Sequence, residues 1–556
     1  MRISVIGCGY LGAVHAACMA SLGHQVVGLD VDEAKVASLN SGVPPFYEPG
    51  FAELLDEQLA GGRLEFTTDP GRIAQAQIHF IAVGTPQLAG RYAADLSYVR
   101  AAVQTLIENV DTSKGPAVIA GKSTVPVGTA RHIQDLCDES GNDLIVVWNP
   151  EFLREGFAVT DTVHPDRIVY GLPDDPDRAE VGRKVLDECY AELLATGIPR
   201  LLTNHPTAEL VKVAANSFLA TKISFINAMA QLCDATGGDV TQLAEAIGYD
   251  DRIGKKFLRE GFAVTDTVHP DRIVYGLPDD QDRAEVGRKL LDECYAELLA
   301  TGIPRLLTNH PTAELVKVAA NSFLATKISF INAMAQLCDA TGGDVTQLAE
   351  AIGYDDRIGK KFLRAGVGFG GGCLPKDIRA FMARAGELGV DEALTFLREV
   401  DAINLRQRDK AVEMASNLLG GRFVGHKVAV LGAAFKPNSD DLRDSPALEV
   451  AQQIWSRGAD LVITDPAAAD ALRSKLPNLN VVGTVAEAVA GADVVLLLTE
   501  WQEYRDLDPV ELRAMVRTPN IIDGRNVLDP QRWLDAGWTY RGMGRLAGPA
   551  AARAQV

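Results

Sequence analysis

The chain has 556 residues, of which 47% are hydrophobic and 23% are charged, and its net charge is −20 at pH 7. This composition is typical of a globular protein long enough for several domains, and the acidic balance argues against a nucleic-acid-binding protein. An anionic small substrate stays compatible with it, because a basic pocket can lie within an acidic protein. No signal-peptide pattern or membrane-length apolar run is present, so we predict a cytoplasmic protein with no membrane partner.

The first segment, RISVIGCGYLGAVHAACMASLGHQVVGLD, predicts a strand, a glycine turn, a helix and a second strand. Gly7 permits the tight turn, Gly9 lets the backbone approach a pyrophosphate, and Gly12 lets helix and strand pack closely. The second strand ends at Asp30, whose carboxylate suits the ribose hydroxyls of NAD better than the phosphate of NADP. We therefore predict a dinucleotide site.

Three strand-and-turn units follow, with the sequences IHFIAVGTP, PAVIAGKSTVPVGT and DLIVVWNPEF. Thr85, Thr124 and Glu151 stand at the ends of their strands. Each alone could be a cap or turn residue, but ligands bind at the carboxyl ends of parallel strands. Three polar residues at successive strand ends therefore favour a site.

The middle of the sequence is repeated. Residues Phe152–Lys256 recur as Phe257–Lys361, an offset of 105 (257 − 152). The copies differ at two positions, Pro176 against Gln281 and Val185 against Leu290. Regular solenoids use shorter periods and at least three units, so this is a different kind of repeat. We interpret it as a tandem duplication, either recent in evolution or artificial.

The segment GVGFGGGCLPKD places Cys373 directly after a glycine-rich loop. Such a loop exposes the thiol and brings backbone close to a bound group. Cys373 and Asp377 are four residues apart and share a face if a helix begins there. The alternative is a buried structural cysteine, the usual fate of a free thiol. The eight cysteines have no CxxC spacing, so we predict neither disulfides nor a metal site.

A second strand-turn-helix-strand unit begins at HKVAVLGAAFKPNSDDLRDSP and lacks the GxGxxG pattern. GADVVLLLTEW and PNIIDGRNVLD add two strands. Lys436, Arg443 and Arg525 lie just beyond strand ends. Isolated basic residues are usually solvated, but three at such positions suit a nucleotide diphosphate.

These motifs, with NPEFLREG, AELVKVAANSFLATKISFIN and GYDDRIGKKFLRAG, resemble the UDP-glucose 6-dehydrogenase family within the UDP-glucose/GDP-mannose dehydrogenase superfamily. The resemblance implies an α/β fold with two Rossmann-like doubly wound domains joined by a long helical dimerisation region, here with a duplicated middle segment. It also implies a homodimer. The expected domains are an NAD-binding domain (1–200), a duplicated insert (201–307), a central helical region with the cysteine loop (308–420) and a nucleotide-sugar-binding domain (421–556).

The chemistry implied by the resemblance is a four-electron oxidation of UDP-glucose to UDP-glucuronate with two NAD, through a thiohemiacetal and a thioester on Cys373. The implied catalytic residues are Thr124, Glu151, Lys212, Asn216, Lys317, Asn321, Cys373 and Asp377. The implied cofactor-binding residues are Gly7, Gly9, Gly12, Asp30, Lys35, Thr85, Thr124, Glu151, Lys376 and Arg443. The implied substrate-binding residues are Glu151, Phe152, Leu153, Arg154, Lys317, Asn321, Arg357, Phe362, Leu363, Arg364, Ala365, Gly366, Gly370, Lys436 and Arg525.

The repeat doubles only part of this set. Glu151 precedes copy one and Cys373 follows copy two, so we predict one active site per chain. The lysine–asparagine pair is doubled, as is the arginine of DDRIG (Arg252 and Arg357), which by resemblance reaches a neighbouring subunit's substrate. We expect a crossover between copies in the loop before TNHPTAELVK, which would expel 105 residues and make Lys317 and Asn321 the working pair.

Two alternatives stay open. One is a related dehydrogenase acting on GDP-mannose or a UDP-N-acetylhexosamine. The other is an NAD-binding protein inactivated by the duplication. A two-electron hydroxyacid dehydrogenase is disfavoured because it would not need Cys373.

Overall fold

The computed structural model describes residues 1–545 except 89, 92, 251 and 254–271. The chain divides into two compact units, Met1–Asn216 and Ser217–Val556. The first contains one large sheet. The second contains a helical region and two further sheets.

The first unit is built on a sheet with the strand order β3-β2-β1-β4-β5-β6-β7-β8 among the described residues. The strands are β1 Arg2–Ile6, β2 Gln25–Leu29, β3 Leu64–Thr67, β4 Ile78–Ile81, β5 Ala117–Gly121, β6 Leu144–Trp148, β7 Ile168–Leu172 and β8 Arg200–Asn204. Neighbouring strands are parallel except β6 and β7. β4, β5 and β6 bury every residue, as expected of parallel strands covered on both faces.

Helices alternate with these strands. They are α1 Tyr10–Ser21, α2 Glu33–Asn40, α3 Phe51–Ala60, α4 Ser97–Asn109, α5 Thr129–Ser140, α6 Ala158–Val163, α7 Pro176–Cys189, α8 Ala191–Ala195 and α9 His205–Thr236, with a 3₁₀ turn at Pro70–Ile73. Helix α1 is alanine-rich and closely packed, and nine of its residues are buried. The boundary between the two units falls inside α9, after Asn216.

The helical part of the second unit contains the rest of copy one, all described elements of copy two and the elements that follow copy two up to residue 418. They are α10 Val240–Gly248, β9 Ile273–Leu277, α11 Gln281–Cys294, α12 Ala296–Ala300, β10 Arg305–Asn309, α13 His310–Thr341, α14 Val345–Gly353, α15 Leu374–Glu387 and α16 Thr395–Leu418, with a 3₁₀ turn at Asp391–Leu394. Each element of copy two begins 105 residues after its image: β9 begins at 273 and β7 at 168. The same sequence therefore forms the same local structure twice.

The surroundings of the two copies differ. In copy one, β7 and β8 complete the large sheet, and α7 buries Gly182, Leu186 and Cys189 in the core of the first unit. In copy two, β9 and β10 pair with each other in a separate small sheet, and α11 buries none of its residues against the described chain. Cys189 is thus buried, whereas its image Cys294 is exposed.

The last part of the second unit is a parallel sheet with the order β13-β12-β11-β14-β15-β16 in the described chain. Its elements are β11 Lys427–Leu431, α17 Pro446–Ser456, β12 Asp460–Thr464, α18 Ala469–Lys475, β13 Asn480–Val481, α19 Val485–Val489, β14 Val494–Leu497, α20 Gln502–Arg505, α21 Pro509–Arg513, β15 Asn520–Asp523, α22 Pro530–Asp535 and β16 Thr539–Gly542. Separate apolar clusters pack on its two faces. The order reverses beside β11, which is the doubly wound arrangement.

The predicted α/β class with two Rossmann-like doubly wound parts is confirmed. The dimerisation role of the helical region stays a prediction, as do the domain boundaries; the compact first unit continues to Asn216 rather than ending at residue 200. No helix within the described ranges combines the length and apolar character needed to cross a bilayer.

Candidate active site

The glycine turn between β1 and α1 requires its glycines for different reasons. Gly7 has φ +91°, and a Cβ there would lie 2.8 Å from Val83 Cγ1. A Cβ on Gly12 would lie 1.8 Å from the carbonyl oxygen of Gly7, so only glycine lets the helix pack this close to the turn. A Cβ on Gly9 would meet no described atom within 4 Å. The space at the start of α1 is therefore open to a ligand.

Asp30 lies directly after β2 and is buried. Its Oδ2 accepts the Cys8 N–H at 2.8 Å and the Lys35 ammonium at 2.9 Å, and its Oδ1 accepts the Asp32 N–H at 3.0 Å. These bonds fix the carboxylate, and Oδ1 keeps lone-pair capacity for a hydroxyl donor. The open space at Gly9 and this oriented carboxylate fit a dinucleotide with a free ribose 2′-hydroxyl.

Thr85 and Thr124 meet beyond the ends of β4 and β5. The Thr85 hydroxyl donates to the carbonyl of Thr124 at 2.7 Å. The hydroxyl of the neighbouring Ser123 donates to the carbonyl of Val83 at 2.7 Å. The structure thus brings the two predicted threonines together at the carboxyl edge of the sheet.

Glu151, just after β6, forms a buried ion pair that the sequence did not reveal. Its Oε2 accepts from Lys122 Nζ at 2.9 Å, and its Oε1 accepts the Phe152 N–H at 2.9 Å. Burial alone would raise the pKa of Glu151, but the charge and hydrogen bond of Lys122, with help from Lys212, hold it below its usual value. A lysine directly before STVPVGT at a strand end was the available signal for Lys122.

Cationic side chains contact residues 152–154, the segment directly after Glu151. The guanidinium of Arg167 lies 4.0 Å and the ammonium of Lys212 lies 5.6 Å from the ring of Phe152. Arg154 pairs with Asp161 at 2.7 Å. Lys212 of copy one is therefore placed beside the Glu151–Phe152 corner.

Cys373 is exposed at the N-terminus of α15. The glycines before it lie against the last part of the second unit. A Cβ on Gly370 would be 2.1 Å from the carbonyl oxygen of Asp444, and one on Gly371 would be 2.7 Å from the ring of Phe435. A Cβ on Gly372 would be 2.6 Å from Arg443 Cζ. The glycine run is therefore needed for this close approach, which presents the thiol at the surface of the loop.

Asp377 lies one turn after Cys373 and is buried. Its Oδ2 accepts from Asn321 Nδ2 at 2.6 Å, and Lys376 Nζ lies 2.5 Å from its Oδ1. The hydrogen bond and charge of Asp377, with a smaller contribution from Cys373, raise the pKa of Lys376. The structure thus joins two predicted catalytic groups, one from copy two and one from the cysteine helix.

The lysine and the asparagine of the doubled pair differ in burial between the two copies. Asn321 is buried beside Asp377, whereas its image Asn216 is exposed. Lys212 is half-buried and faces Phe152, whereas its image Lys317 is exposed. Among the contacts of the described residues, the lysine of copy one lies beside Phe152 and the asparagine of copy two bonds Asp377.

The predicted nucleotide-sugar residues lie around the FLRAG segment. Phe362 has a φ of +61° in this segment, Lys436 is exposed, and Arg443 pairs with Asp441 at 2.8 Å. Arg525 donates to the carbonyls of Leu498, Gly368 and Phe435 at 2.7, 3.0 and 3.4 Å, and its role in binding the substrate stays a prediction. Arg525 therefore holds the backbone of this region in place.

Two buried asparagines that sequence reasoning missed also hold this region. Asn332 Oδ1 accepts the Gly366 N–H at 2.9 Å. Asn404 accepts the Phe369 N–H at 2.7 Å and donates to the Phe369 carbonyl at 3.1 Å. The only signal for Asn332 was a polar residue inside the apolar run SFIN.

The repeated arginines have similar local partners. Arg252 bonds Asp250 at 2.6 Å, and Arg357 bonds Asp355 at 2.7 Å. The guanidinium of Arg252 also lies 5.4 Å from the ring of Phe362. Copy one therefore places its arginine beside the FLRAG segment.

An open glycine turn followed by an oriented acid at the end of the second strand belongs to the nicotinamide-dependent dehydrogenases. Models of the UDP-glucose/GDP-mannose dehydrogenase family match the chain with the NAD binding domain at residues 1–194, the central domain at 206–292 and 311–406, and the UDP binding domain at 429–530. The chain belongs to this family. The resemblance and the NAD cofactor are thereby confirmed.

Several relatives match over the full length. The UDP-glucose 6-dehydrogenase of Rhizobium meliloti strain 1021 is 33% identical over 548 residues, which cover 98% of this chain and 100% of the relative. The UDP-glucose 6-dehydrogenase of Pseudomonas aeruginosa is 33% identical over 552 residues, 98% of each chain. A solved ternary complex of GDP-mannose dehydrogenase from the same species has a TM-score of 0.64 at 25% identity, covering 98% of this chain and 100% of that one.

Proposed function

We propose that this chain oxidises UDP-glucose to UDP-glucuronate with NAD. The observation that carries the proposal is the exposed thiol of Cys373, one helical turn from the buried Asp377–Asn321 pair. A two-electron alcohol oxidation needs no thiol. An oxidation that continues to a carboxylate gains from one, because the sulfur can hold the aldehyde as an adduct.

The reaction proceeds in two oxidations. The primary alcohol loses a hydride and a proton and becomes an aldehyde. The sulfur of Cys373 adds to the aldehyde carbon while the thiol proton passes to the aldehyde oxygen, which forms a thiohemiacetal. The thiohemiacetal then loses a second hydride and its hydroxyl proton and becomes a thioester. Water then replaces the sulfur, which releases the carboxylate and restores the thiol. NAD, when bound, accepts one hydride in each oxidation.

The roles follow from the resemblance, residue by residue. The glycine turn holds the cofactor, Thr124 holds the water network, and Glu151, kept ionised by Lys122, can accept a proton. Cys373 acts as nucleophile and Asp377 as a carboxylate for the hydrolytic water. Asn321 orients Asp377, since its amide donates to that carboxylate. Glu151 and Cys373 each occur once, so the proposal is one active site per chain.

The proposal is tested by counting NADH. Two NADH per UDP-glucose are expected, and one or none would refute the four-electron reaction. Cys373→Ala is expected to abolish turnover.

GDP-mannose is the second candidate substrate, because the structural neighbour with a TM-score of 0.64 is a GDP-mannose dehydrogenase. A parallel assay with GDP-mannose and a UDP-N-acetylhexosamine separates these sugars. Inactivation by the repeat is tested by deleting residues 257–361: activity that appears only in the shortened chain would show that the second copy blocks catalysis.

The homodimer and the cytoplasmic location stay predictions from the sequence. The copy-two pair Lys317 and Asn321 also stays a prediction, and the contacts of Lys212 with Phe152 and Glu151 favour the copy-one lysine in this role.

A further inference from the structure

The two long helices α9 and α13 pack against each other through contacts that occur in pairs. The ring of Phe225 lies 5.0 Å from that of Phe323, and the ring of Phe218 lies 5.0 Å from that of Phe330. Phe323 and Phe330 are the repeat images of Phe218 and Phe225, so the second contact is the first with the copies exchanged. Phe218 and Phe323, which are images of each other, also meet at 6.3 Å.

Two buried lysines repeat this exchange. Lys222 Nζ donates to the carbonyl of Ile253 in its own copy and to that of Arg357 in the other copy, at 3.2 and 2.6 Å. Its image Lys327 donates to the carbonyl of Ile358 in its own copy and to that of Arg252 in the other copy, both at 2.9 Å. Each lysine therefore bonds backbone carbonyls in the DDRIG segments of both copies.

The lysines and the rings form one continuous contact. Lys222 Nζ lies 5.6 Å from the ring of Phe323, and Lys327 Nζ lies 5.8 Å from the ring of Phe218. Both ammonium groups are almost fully buried. A buried lysine is tolerated only when polar partners surround it, and each of these lysines has a carbonyl partner in the other copy. Separating the helices would leave both groups without those acceptors.

Exchange of these aromatic and lysine contacts between two nearly identical sequences is the pattern of an isologous interface with two-fold symmetry. Such an interface normally joins two separate chains. We propose that the two repeat copies form this interface within one chain, so that the face of α13 which a second subunit would otherwise cover is already covered by α9. The inference rests on packing alone and is independent of the proposed activity.

Covalent linkage favours the internal arrangement. A tethered partner has an effective concentration on the order of millimolar, far above that of a separate chain at micromolar concentration. The internal copy therefore competes successfully for the face. Because α9 already covers this face of α13, a second chain cannot pair through it, and the internal arrangement predicts a monomer.

Cross-linking tests which chains share the interface. Phe225→Cys and Phe323→Cys, combined in a Cys294→Ser and Cys373→Ser background, place two thiols across the contact, which a mild oxidant can join as a disulfide. The expected product is a disulfide-linked single chain that runs faster than its reduced form on a non-reducing denaturing gel; a disulfide-linked species of twice the mass, or no disulfide at all, would overturn the proposal. The image pair Phe218→Cys and Phe330→Cys should behave identically, and either single substitution should give no cross-linked product.

The unmodified chain supplies a second measurement that does not depend on the variants folding. Light scattering at micromolar concentration is expected to give the mass of one chain, 59.6 kDa. Twice this mass would contradict the internal interface.

Discussion

Asn321 donates its side-chain N–H to Asp377 Oδ2 at 2.6 Å, and this bond joins copy two to the helix that follows Cys373. The identical asparagine of copy one, Asn216, is exposed in the other unit. At this position and at others, a substitution can therefore be made in one copy of the repeat, and the same substitution in the other copy serves as its control.

Asn321→Ala is expected to lower kcat by roughly 10- to 100-fold, the range for a lost hydrogen bond to a charged group. Asp377 would lose the group that orients it. Steady-state NADH formation with UDP-glucose measures the effect, and KM should change less than kcat. Asn216→Ala should match the parent chain, and an equal loss in both variants would show that the bond does not decide which copy works.

For the repeated lysines Lys212 and Lys317, the copy-one residue rather than the copy-two residue is expected to matter for turnover. Lys212→Met should reduce turnover by about tenfold or more, because Lys212 lies beside Phe152 and helps to keep Glu151 ionised. Lys317→Met, its exposed image, should have little effect on the same assay. Loss of turnover in Lys317→Met alone would assign the lysine to copy two, as the sequence predicted.

Lys122→Met removes the ion pair that lowers the pKa of Glu151. The pKa of Glu151 should then rise, since burial is opposed only by Lys212 and the Phe152 N–H. Because the group is needed as a carboxylate, the acidic limb of the kcat–pH profile should move to higher pH. The exposed Lys114→Met provides the control. An unshifted profile in Lys122→Met would exclude Glu151 as the group that titrates there.

The sheet that copy one completes can be tested by stability. Leu186 is fully buried, whereas its image Leu291 is only half-buried. Leu186→Ala is expected to lower the free energy of unfolding of the first unit by about 2–5 kcal/mol. Leu291→Ala should lower it much less. Urea denaturation measures both, and a larger loss in Leu291→Ala would place copy two in the large sheet.

Sequence reasoning located the parts of the site that depend on local pattern. Gly7, Gly12 and Asp30 were identifiable because a strand-turn-helix-strand unit places them by spacing alone. Cys373 was identifiable because four nearby glycines imply a close backbone approach. The contacts of Lys122 with Glu151 and of Asn404 with Phe369 were not identifiable, because they join residues 29 and 35 positions apart through the tertiary fold.

The packing of each repeat copy could not be predicted from local sequence for a similar reason. Two nearly identical sequences have the same propensities, and both copies do form the same helices and strands. Only packing distinguishes them, as the burial of Cys189 and the exposure of Cys294 show. The expected handover before the long helix did not foresee that α9 and α13 would pack on each other.

The pH dependence of stability at Glu209 tests whether copy one or copy two packs against the large sheet. Its carboxylate accepts the N–H groups of Gly128 and Ala130 at 2.7 Å each, at the start of α5. Burial raises the pKa of Glu209 to about 7, with the two N–H groups acting against it. A raised pKa means that this group's stabilising contribution is full below its unfolded value of 4.5 and is lost as the pH rises through about 7.

Glu209→Gln removes that titration. Relative to the parent chain, the variant should gain stability between pH 4.5 and pH 7, by a change on the order of 3 kcal/mol. It should be less stable than the parent at acidic pH, where neither side chain is charged and the amide N–H₂ fits the two donors poorly. Thermal denaturation at pH 5 and pH 8 measures the difference. Glu314→Gln, the exposed image, should run parallel to the parent at both values; a pH-dependent difference there, and none in Glu209→Gln, would assign the helix cap to copy two.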